Sequence, residues 1–311
     1  SVGCCFCKYT NIQLPDFCLD KFYIYFFRTL LNATIMKQLF LSYTLRALIV
    51  ATVFSFFSSC SDDHTTAPDA TKTGSIILEF DNVAGDDEFT FNKEYTNAAG
   101  EKFTTTILKY YISNISLVTT SGTVYTVPQD ISYFLVDESV PTSTKVKLSN
   151  IPEGDYKEVR YTVGVDSVRS TMPIEKRQGA LDMSGQGKDM YWEWNSGYIF
   201  FKMEGSSPAI NEVENNFRFH IGGFGGYSAQ TINNIKTVTL SMGTTPATVR
   251  SDIAPEVHIL ADILRVFSGN RTIELAKNPS YMFSRSSVDI ANNYMNMFSF
   301  DHVHNDAAHS H

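Results

Sequence analysis

The chain has 311 residues, and its 33 acidic and 25 basic residues give a formal net charge of −8 at pH 7. This length exceeds that of an ordinary single domain, although one β-rich domain can run to about 250 residues. A protein that follows a phosphate backbone needs a basic stripe, so this acidity argues against nucleic-acid binding as the function.

Residues 1 to 35 differ in composition from the rest of the chain. They contain four of the five cysteines and many aromatic residues, without the periodicity of a helix or a strand. Met36, which could serve as a translation start, follows them directly. We therefore predict that residues 1 to 35 are upstream or mis-started sequence and lie outside the functional protein.

Residues 36 to 59 have the three parts of a bacterial signal peptide. Lys37 and Arg46 give the positive charge, the segment 47 to 57 is apolar, and small residues follow it. The apolar segment is shorter than the run of about 20 residues that a transmembrane helix needs. The sequence therefore predicts a cleaved signal peptide rather than a membrane-spanning anchor.

The small residues directly before Cys60 resemble the lipobox of bacterial lipoproteins, in which the cysteine is lipidated and becomes the mature N-terminus. Phe57 stands where most lipoboxes have leucine, and ordinary secretion with cleavage near Ser59 is the alternative. Each acyl methylene contributes about 0.8 kcal/mol in the bilayer, so several acyl chains on Cys60 would hold the protein on a membrane. We predict an outer-membrane lipoprotein of the cell envelope, periplasmic or surface-exposed, with residues 60 to 73 as a flexible tether.

No cysteine follows Cys60. The predicted mature domain therefore has no disulfide, no thiolate metal ligand and no cysteine nucleophile. Residues 1 to 59 hold five basic and two acidic residues, so the rest of the chain has 20 basic and 31 acidic residues, a net charge of −11. Any metal bound there would need ligands such as imidazole, carboxylate, thioether or carbonyl groups.

From residue 74 to residue 306 the sequence reads as one folded domain of short strands separated by glycine-rich and proline-rich turns. The predicted strands are residues 75–80, 103–118, 123–127, 131–136, 145–148, 156–163, 190–203, 216–221, 235–242, 257–263 and 271–275. Because helices do not alternate with them, we predict an all-β antiparallel β-sandwich. One short C-terminal helix should follow Ser286, where the spacing to Asp289 resembles a capping box.

The two tryptophans of the chain, Trp192 and Trp194, lie two residues apart. In a strand both rings would point to one face, with Glu193 on the other. Rings of this size mostly pack in protein interiors, and we keep that interpretation beside a binding role.

Three histidines supply imidazoles in a chain that has few: His220, His302 and His304. In an extended segment His302 and His304 face one side, whereas a helix would separate them. A core position for His220, or a solvated tail for the other two, is the alternative. His258 lies on the polar side of its strand, and we leave it out of the predicted site. A site of imidazole nitrogens favours copper among the common divalent metals.

The chain resembles the MbnP-like family of copper-binding proteins that are associated with methanobactin operons. The matching segments run in the family's order and lie at residues 109–114, 164–167, 190–198, 220–223 and 300–304. The resemblance implies a β-sandwich that binds copper, as Cu(I) or Cu(II), in copper acquisition, storage or handover.

The resemblance also implies that a partner di-haem peroxidase-like enzyme oxidises one tryptophan to kynurenine. By position it marks Trp192 or Trp194 as the modified residue and, with them, His220, His302 and His304 as candidate metal ligands. An outer-membrane transporter is a further implied partner. Some relatives have a histidine two residues after the modified tryptophan, and this chain has Trp194 there if Trp192 is modified.

The sequence contains no phosphate-binding glycine loop and no nucleophile elbow, and we predict that the protein is not an enzyme. Asp166 and Asp262 lie in apolar contexts, where they could cap turns or hold a structural calcium ion. The alternative function is a surface lipoprotein that binds a glycan or a protein without metal, through Trp192, Trp194 and Tyr198.

Overall fold

A computed structural model describes residues 72–192 and 195–306 of the chain. Residues 1–71 and 307–311 lie outside the described part, and so do Glu193 and Trp194. The predicted signal peptide, Cys60 and most of the tether therefore remain predictions.

Strands make up most of the regular structure in the described residues, and two α-helices accompany them. The strands are β1 (Thr73–Ala84), β2 (Asp87–Glu88), β3 (Tyr95–Thr96), β4 (Lys102–Thr119), β5 (Val124–Thr126), β6 (Tyr133–Asp137), β7 (Lys145–Pro152), β8 (Gly154–Val163), β9 (Ile199–Ser206), β10 (Asn216–Gly222), β11 (Lys236–Ser241), β12 (Ala247–Val249), β13 (Glu256–Asp262), β14 (Ser280–Tyr281) and β15 (Phe298–His304). The helices are α1 (Ser167–Ser170) and α2 (Ser287–Tyr294).

The strands form two sheets. The small sheet has the order β15-β13-β1-β2, and β7 also pairs with β1. The large sheet has the order β11-β8-β4-β9-β10-β14, and β3, β5, β6 and β12 pair with its central strands. Pairing is antiparallel except between β1 and β13 and between β10 and β14. The predicted all-β sandwich is confirmed.

The inner faces of the sheets share one core. Along β1, Ile76, Leu78 and Phe80 are buried, while the residues between them are partly exposed. This is the alternation of a strand with one face on a core. Phe80 meets Tyr161 of the large sheet edge to face, with ring centroids 5.6 Å apart. Such a ring contributes roughly 1.5–3 kcal/mol through its burial.

A second buried cluster lies on the outer face of the large sheet, the face turned away from the shared core. It contains Tyr111, Trp192, Tyr198, Phe200 and Phe224. The Tyr111 and Tyr198 hydroxyls donate to the carbonyls of residues 180 and 181, at 2.8 and 2.7 Å. Loop residues 180–192 and 195–198 thus cover this part of the sheet.

The strand predicted for residues 190–203 begins only at Ile199. Before it, described residues on either side of the gap at 193–194 pair with each other. The Trp192 N–H donates to the Gly197 carbonyl at 3.1 Å, and the Ile199 N–H donates to the Met190 carbonyl at 2.9 Å. Gly197 has φ +76°, which glycine adopts without steric penalty. Trp192 is therefore in a loop, and its prediction as a strand residue is wrong.

The strand predicted for residues 271–275 is also wrong, because side chains form hydrogen bonds with the backbone groups of this segment. The Glu101 carboxylate accepts from the Leu275 and Ala276 N–H groups, at 2.7 and 2.9 Å. The Asn293 side chain donates to the Arg271 carbonyl at 2.8 Å. These bonds satisfy the backbone groups without a neighbouring strand.

Helix α2 confirms the predicted C-terminal helix, but its capping box does not form. Ser286 makes no capping side-chain bond and instead contacts the Ser284 hydroxyl at 2.8 Å. No helix in residues 72–192 and 195–306 is both long and apolar enough to cross a membrane.

Candidate metal centre

Three histidines meet on the outer face of the small sheet. His258 belongs to β13, and His302 and His304 belong to β15. One ring nitrogen from each lies within 4.8 Å of the others. The Nε2 atoms of His302 and His304 are 2.9 Å apart. Two nitrogens that each bind one ion at about 2.0–2.1 Å lie about 3 Å apart when they occupy adjacent coordination positions.

A β-bulge brings these histidines to one face. Phe300 pairs with Ile259, but the next pair joins Val303 with Val257. One residue of β13 therefore faces two residues of β15. A bulge of this kind inserts one extra residue and changes which side chains face each way.

The bulge decides to which face of the sheet the β15 histidines point. Phe298 and Phe300 pack on the core, and strict alternation from them would turn His302 and His304 inward as well. After the bulge it is Val303 that packs on the core, while His302 and His304 are exposed. Both histidines thus lie on the outer face beside His258.

Carboxylates hold two of the three rings. The Asp81 Oδ2 atom is 2.9 Å from Nδ1 of His258, and the Asp301 Oδ2 atom is 2.8 Å from Nδ1 of His302. A carboxylate that accepts a hydrogen bond from Nδ1 fixes the imidazole tautomer in which Nε2 carries no proton. The lone pair of Nε2 can then bind a metal. The structure thus prepares the Nε2 atoms of His258 and His302 for a metal.

Glu79 lies beside His258. It is the direct neighbour of His258 across the parallel β1–β13 pairing. Its Oε2 atom lies 3.5 Å from Nε2 of His258 and 3.1 Å from Nζ of Lys145. Burial and a contact with the Glu256 carboxyl raise the pKa of Glu79 above its ordinary value, against the opposing effect of Lys145.

His220 lies elsewhere, on the outer face of the large sheet. Its Nε2 atom is 2.7 Å from the Glu204 carboxylate, which also contacts Lys202 at 3.4 Å. Burial lowers the pKa of His220 and outweighs the effect of Glu204. Among the described residues His220 joins neither of the two groups of clustered ligand atoms.

Trp192 packs near His220. A Cβ atom on Gly222 would lie 2.6 Å from the Trp192 ring, and Gly222 follows His220 by two residues on the same face of β10. Trp192 is 8% exposed and Tyr198 is fully buried, so neither ring has an open face for stacking on a ligand. Trp194 lies outside the described residues.

The predicted ligands are therefore divided between two sheets. His302 and His304 come together on the small sheet, whereas His220 lies on the large sheet and the loop residue Trp192 packs against that sheet. Sequence reasoning missed His258, Glu79 and Asp81. Each of these residues stands between buried neighbours, and this alternation indicates a side chain on the outer face of its strand. The pairing of β1 with β13, which brings the residues together, joins distant parts of the sequence and could not be predicted from local patterns.

The two carboxylates considered for calcium cap turns. Asp166 accepts from the Arg169 N–H at 3.2 Å and from Asn114 at 2.9 Å. Asp262 accepts from the N–H groups of Gly85 and Leu264, each at 3.0 Å. A calcium role remains a prediction.

Comparisons with known proteins agree with the sequence resemblance. The family model MbnP matches residues 73–283, more than half of the chain. A solved structure, MbnP from Methylosinus trichosporium, is similar at 17% identity and a TM-score of 0.43, covering 65% of this chain and 83% of that chain. No curated protein matches the chain. His302 and His304 lie beyond the matched residues.

Proposed function

The chain belongs to the MbnP family, and from this premise we propose that it is a copper-binding protein with its metal centre at His258, His302 and His304. Membership of the family suggests a role associated with methanobactin. The observation that carries the proposal is the convergence of three imidazoles with ring nitrogens within 4.8 Å.

The donor set suits copper. Imidazole nitrogens bind copper, zinc, nickel and iron, and among divalent ions the affinity order favours copper. The His302 side chain is 45% exposed, so an ion can reach it from solvent. His258 is mostly buried and held by Asp81, which makes it the fixed member. Coordination by both His258 and His302 would require their stacked rings to turn, and His302, the more exposed of the two, is the ring that would move.

The tryptophan oxidation is a separate part of the proposal. Oxidation of Trp192 or Trp194 to kynurenine by a di-haem peroxidase-like partner would modify the segment beside the large sheet. A kynurenine at Trp192 would be near His220 rather than near the three-histidine cluster. Copper binding at the cluster should therefore not depend on this oxidation.

The cellular setting completes the proposal. A lipid anchor on Cys60 would hold the protein at the outer membrane of the cell envelope, where copper could be stored or handed to a transporter. Lipid attachment is tested by metabolic labelling with a fatty acid, which a Cys60→Ala variant should not incorporate.

A copper titration tests the binding site. The double variant His302→Ala/His304→Ala should lose the tight site of the unaltered protein. His220→Ala tests the competing placement on the large sheet. Loss of tight binding in His220→Ala, with full binding in the double variant, would contradict the proposal.

A further inference from the structure

We infer that Arg177 directs the proposed oxidation to tryptophan: its guanidinium keeps Tyr198 reduced, so that Trp192 is the ring of the second buried cluster that yields an electron. The inference rests on one part of the proposed function, the oxidation of a tryptophan by a haem-peroxidase type of oxidant. It adds a residue that decides which aromatic ring is oxidised, and it is independent of the three-histidine centre.

Tyrosine and tryptophan rings lie together in the second buried cluster. Trp192, Tyr198 and Tyr111 belong to it, and Tyr191 packs against it. The Tyr198 ring centroid lies 5.1 Å from that of Tyr191 and 5.5 Å from that of Tyr111. Among aromatic side chains, those of tyrosine and tryptophan lose an electron most easily, and electrons move readily between rings in contact. An oxidant that acts on this cluster could therefore oxidise a tyrosine instead of the tryptophan.

One route to tyrosine oxidation releases the phenolic proton with the electron and leaves a neutral radical. The Tyr198 hydroxyl donates to the Leu181 carbonyl at 2.7 Å, and the residue is fully buried. A carbonyl oxygen accepts a hydrogen bond but is too weak a base to take the proton. Burial raises the pKa of Tyr198 to about 12, against the opposing effect of Arg177. The surroundings of Tyr198 therefore oppose this route.

The other route keeps the proton and leaves a positively charged ring. The guanidinium carbon of Arg177 lies 5.3 Å from the Tyr198 ring centroid and 4.8 Å from that of Tyr191. A cation in this position is attracted by the neutral ring and repels a ring that carries positive charge. Arg177 is 7% exposed, and it donates to the carbonyls of Ser170 and Met172 at 2.8 to 3.0 Å. The guanidinium is thus held in place, and it opposes the second route.

Tryptophan does not need the first route. An indole that has lost one electron can persist as a radical cation while it keeps its N–H proton. In the first step of the oxidation Trp192 would therefore lose one electron, the oxidised haem of the partner would gain it, and no bond of the indole would break. The step needs no proton acceptor beside the ring.

A photogenerated ruthenium(III) polypyridyl complex, with persulfate as the final electron acceptor, tests the role of Arg177 without the partner enzyme. Peptide mass spectrometry after illumination gives the oxidised fractions of Trp192, Tyr198 and Tyr111. Arg177→Met should raise the ratio of oxidised Tyr198 to oxidised Trp192 roughly tenfold. Tyr111 is the internal control, because its hydroxyl also donates to a carbonyl and, among the described residues, no guanidinium lies over its ring. Its ratio to Trp192 should stay nearly constant.

Two further variants separate charge from packing. Arg177→Lys keeps the positive charge but cannot form the same set of hydrogen bonds, so its Tyr198 ratio should stay close to that of the unaltered protein. Arg265→Met removes an exposed arginine that pairs with Asp262 at 3.3 Å, and it should leave the ratio unchanged. If Arg177→Lys raises the ratio as much as Arg177→Met, altered packing explains the effect and the inference is overturned.

The outcomes separate this inference from the proposed function. If Arg177→Met has the same ratio as the unaltered protein, the inference is overturned, whether or not the protein isolated from its own organism carries kynurenine. If that protein carries no kynurenine at either tryptophan, the proposed oxidation fails. The ruthenium measurement then still decides whether Arg177 protects Tyr198.

Discussion

The imidazole rings of His258 and His302 are stacked, with centroids 4.3 Å apart and planes only 9° from parallel. The two residues belong to different strands, and the bulge in β15 sets this contact. His304 meets the edges of both rings, at 5.2 and 4.6 Å between centroids.

Asp81 should act as a positioning residue for the metal centre. Asp81→Asn removes the carboxylate that fixes the His258 tautomer, and loss of such a partner typically weakens metal binding about 10–100-fold. The measurement is a Cu(II) competition titration. Asp87→Asn is the control, because Asp87 is exposed and pairs only with Lys93 among the ion pairs of the described residues. Equal Cu(II) affinities in the two variants would show that Asp81 does not position His258 for the metal.

Gly222 should be needed for the packing of Trp192. Gly222→Ala would place a methyl group 2.6 Å from that ring and closer still to the Tyr198 carbonyl. Overpacking of this kind costs about 1–3 kcal/mol. Urea unfolding should show the loss, while Gly154→Ala, where the added atom meets neighbours no nearer than 3.7 Å, should change the free energy of unfolding far less. Matching values for both variants would disprove the close packing.

Asp137 should make the folded state sensitive to acid. Its carboxylate is 2.8 Å from the Lys109 ammonium, and both side chains are largely buried. Although burial opposes it, hydrogen bonds from Lys109 and Ser139 hold the pKa of Asp137 below its ordinary value of 3.8. The contribution to stability is therefore present above that value and is lost as the pH falls through the lower folded-state pKa.

Asp137→Asn checks this relationship. It should destabilise the protein by about 1.5–3 kcal/mol at pH 7, the usual contribution of a hydrogen bond to a charged group. Below pH 3.8 the difference from the unaltered protein should shrink. A difference that stays constant from pH 7 to pH 2 would contradict the assignment.

Phe80 should be one of the residues that hold the two sheets together. It is fully buried, and its ring meets Tyr110, Tyr161 and Phe298. Phe80→Ala should cost about 3–5 kcal/mol. Val124→Ala, at an exposed position, is the control. Chemical denaturation gives both values, and a loss below 1 kcal/mol for Phe80→Ala would argue against the shared core.

The sequence was sufficient to predict the β-sandwich, because the alternation of apolar and polar residues along strands such as β1 shows which face is buried. It also placed the C-terminal helix correctly. It failed at residues 190–192, 195–198 and 271–275, where loop hydrogen bonds and the carboxylate of Glu101 compete with strand formation. Local patterns do not reveal such distant partners.

The candidate site was only half predictable. His302 and His304 were recognised, but His258 was dismissed because it faces the polar side of its strand. The candidate metal site lies on that polar side of the strand. A change in apolar spacing, from two residues between Phe298 and Phe300 to three between Phe300 and Val303, is the local trace of the bulge. The parallel pairing that adds Glu79 and Asp81 leaves no local trace.

The most direct test is a crystal structure of the copper-loaded protein with anomalous data collected at the copper absorption edge. We expect one strong anomalous peak bounded by His258, His302 and His304 on the outer face of the small sheet. A peak beside His220 and Trp192 on the large sheet, with none at the three histidines, would contradict the account.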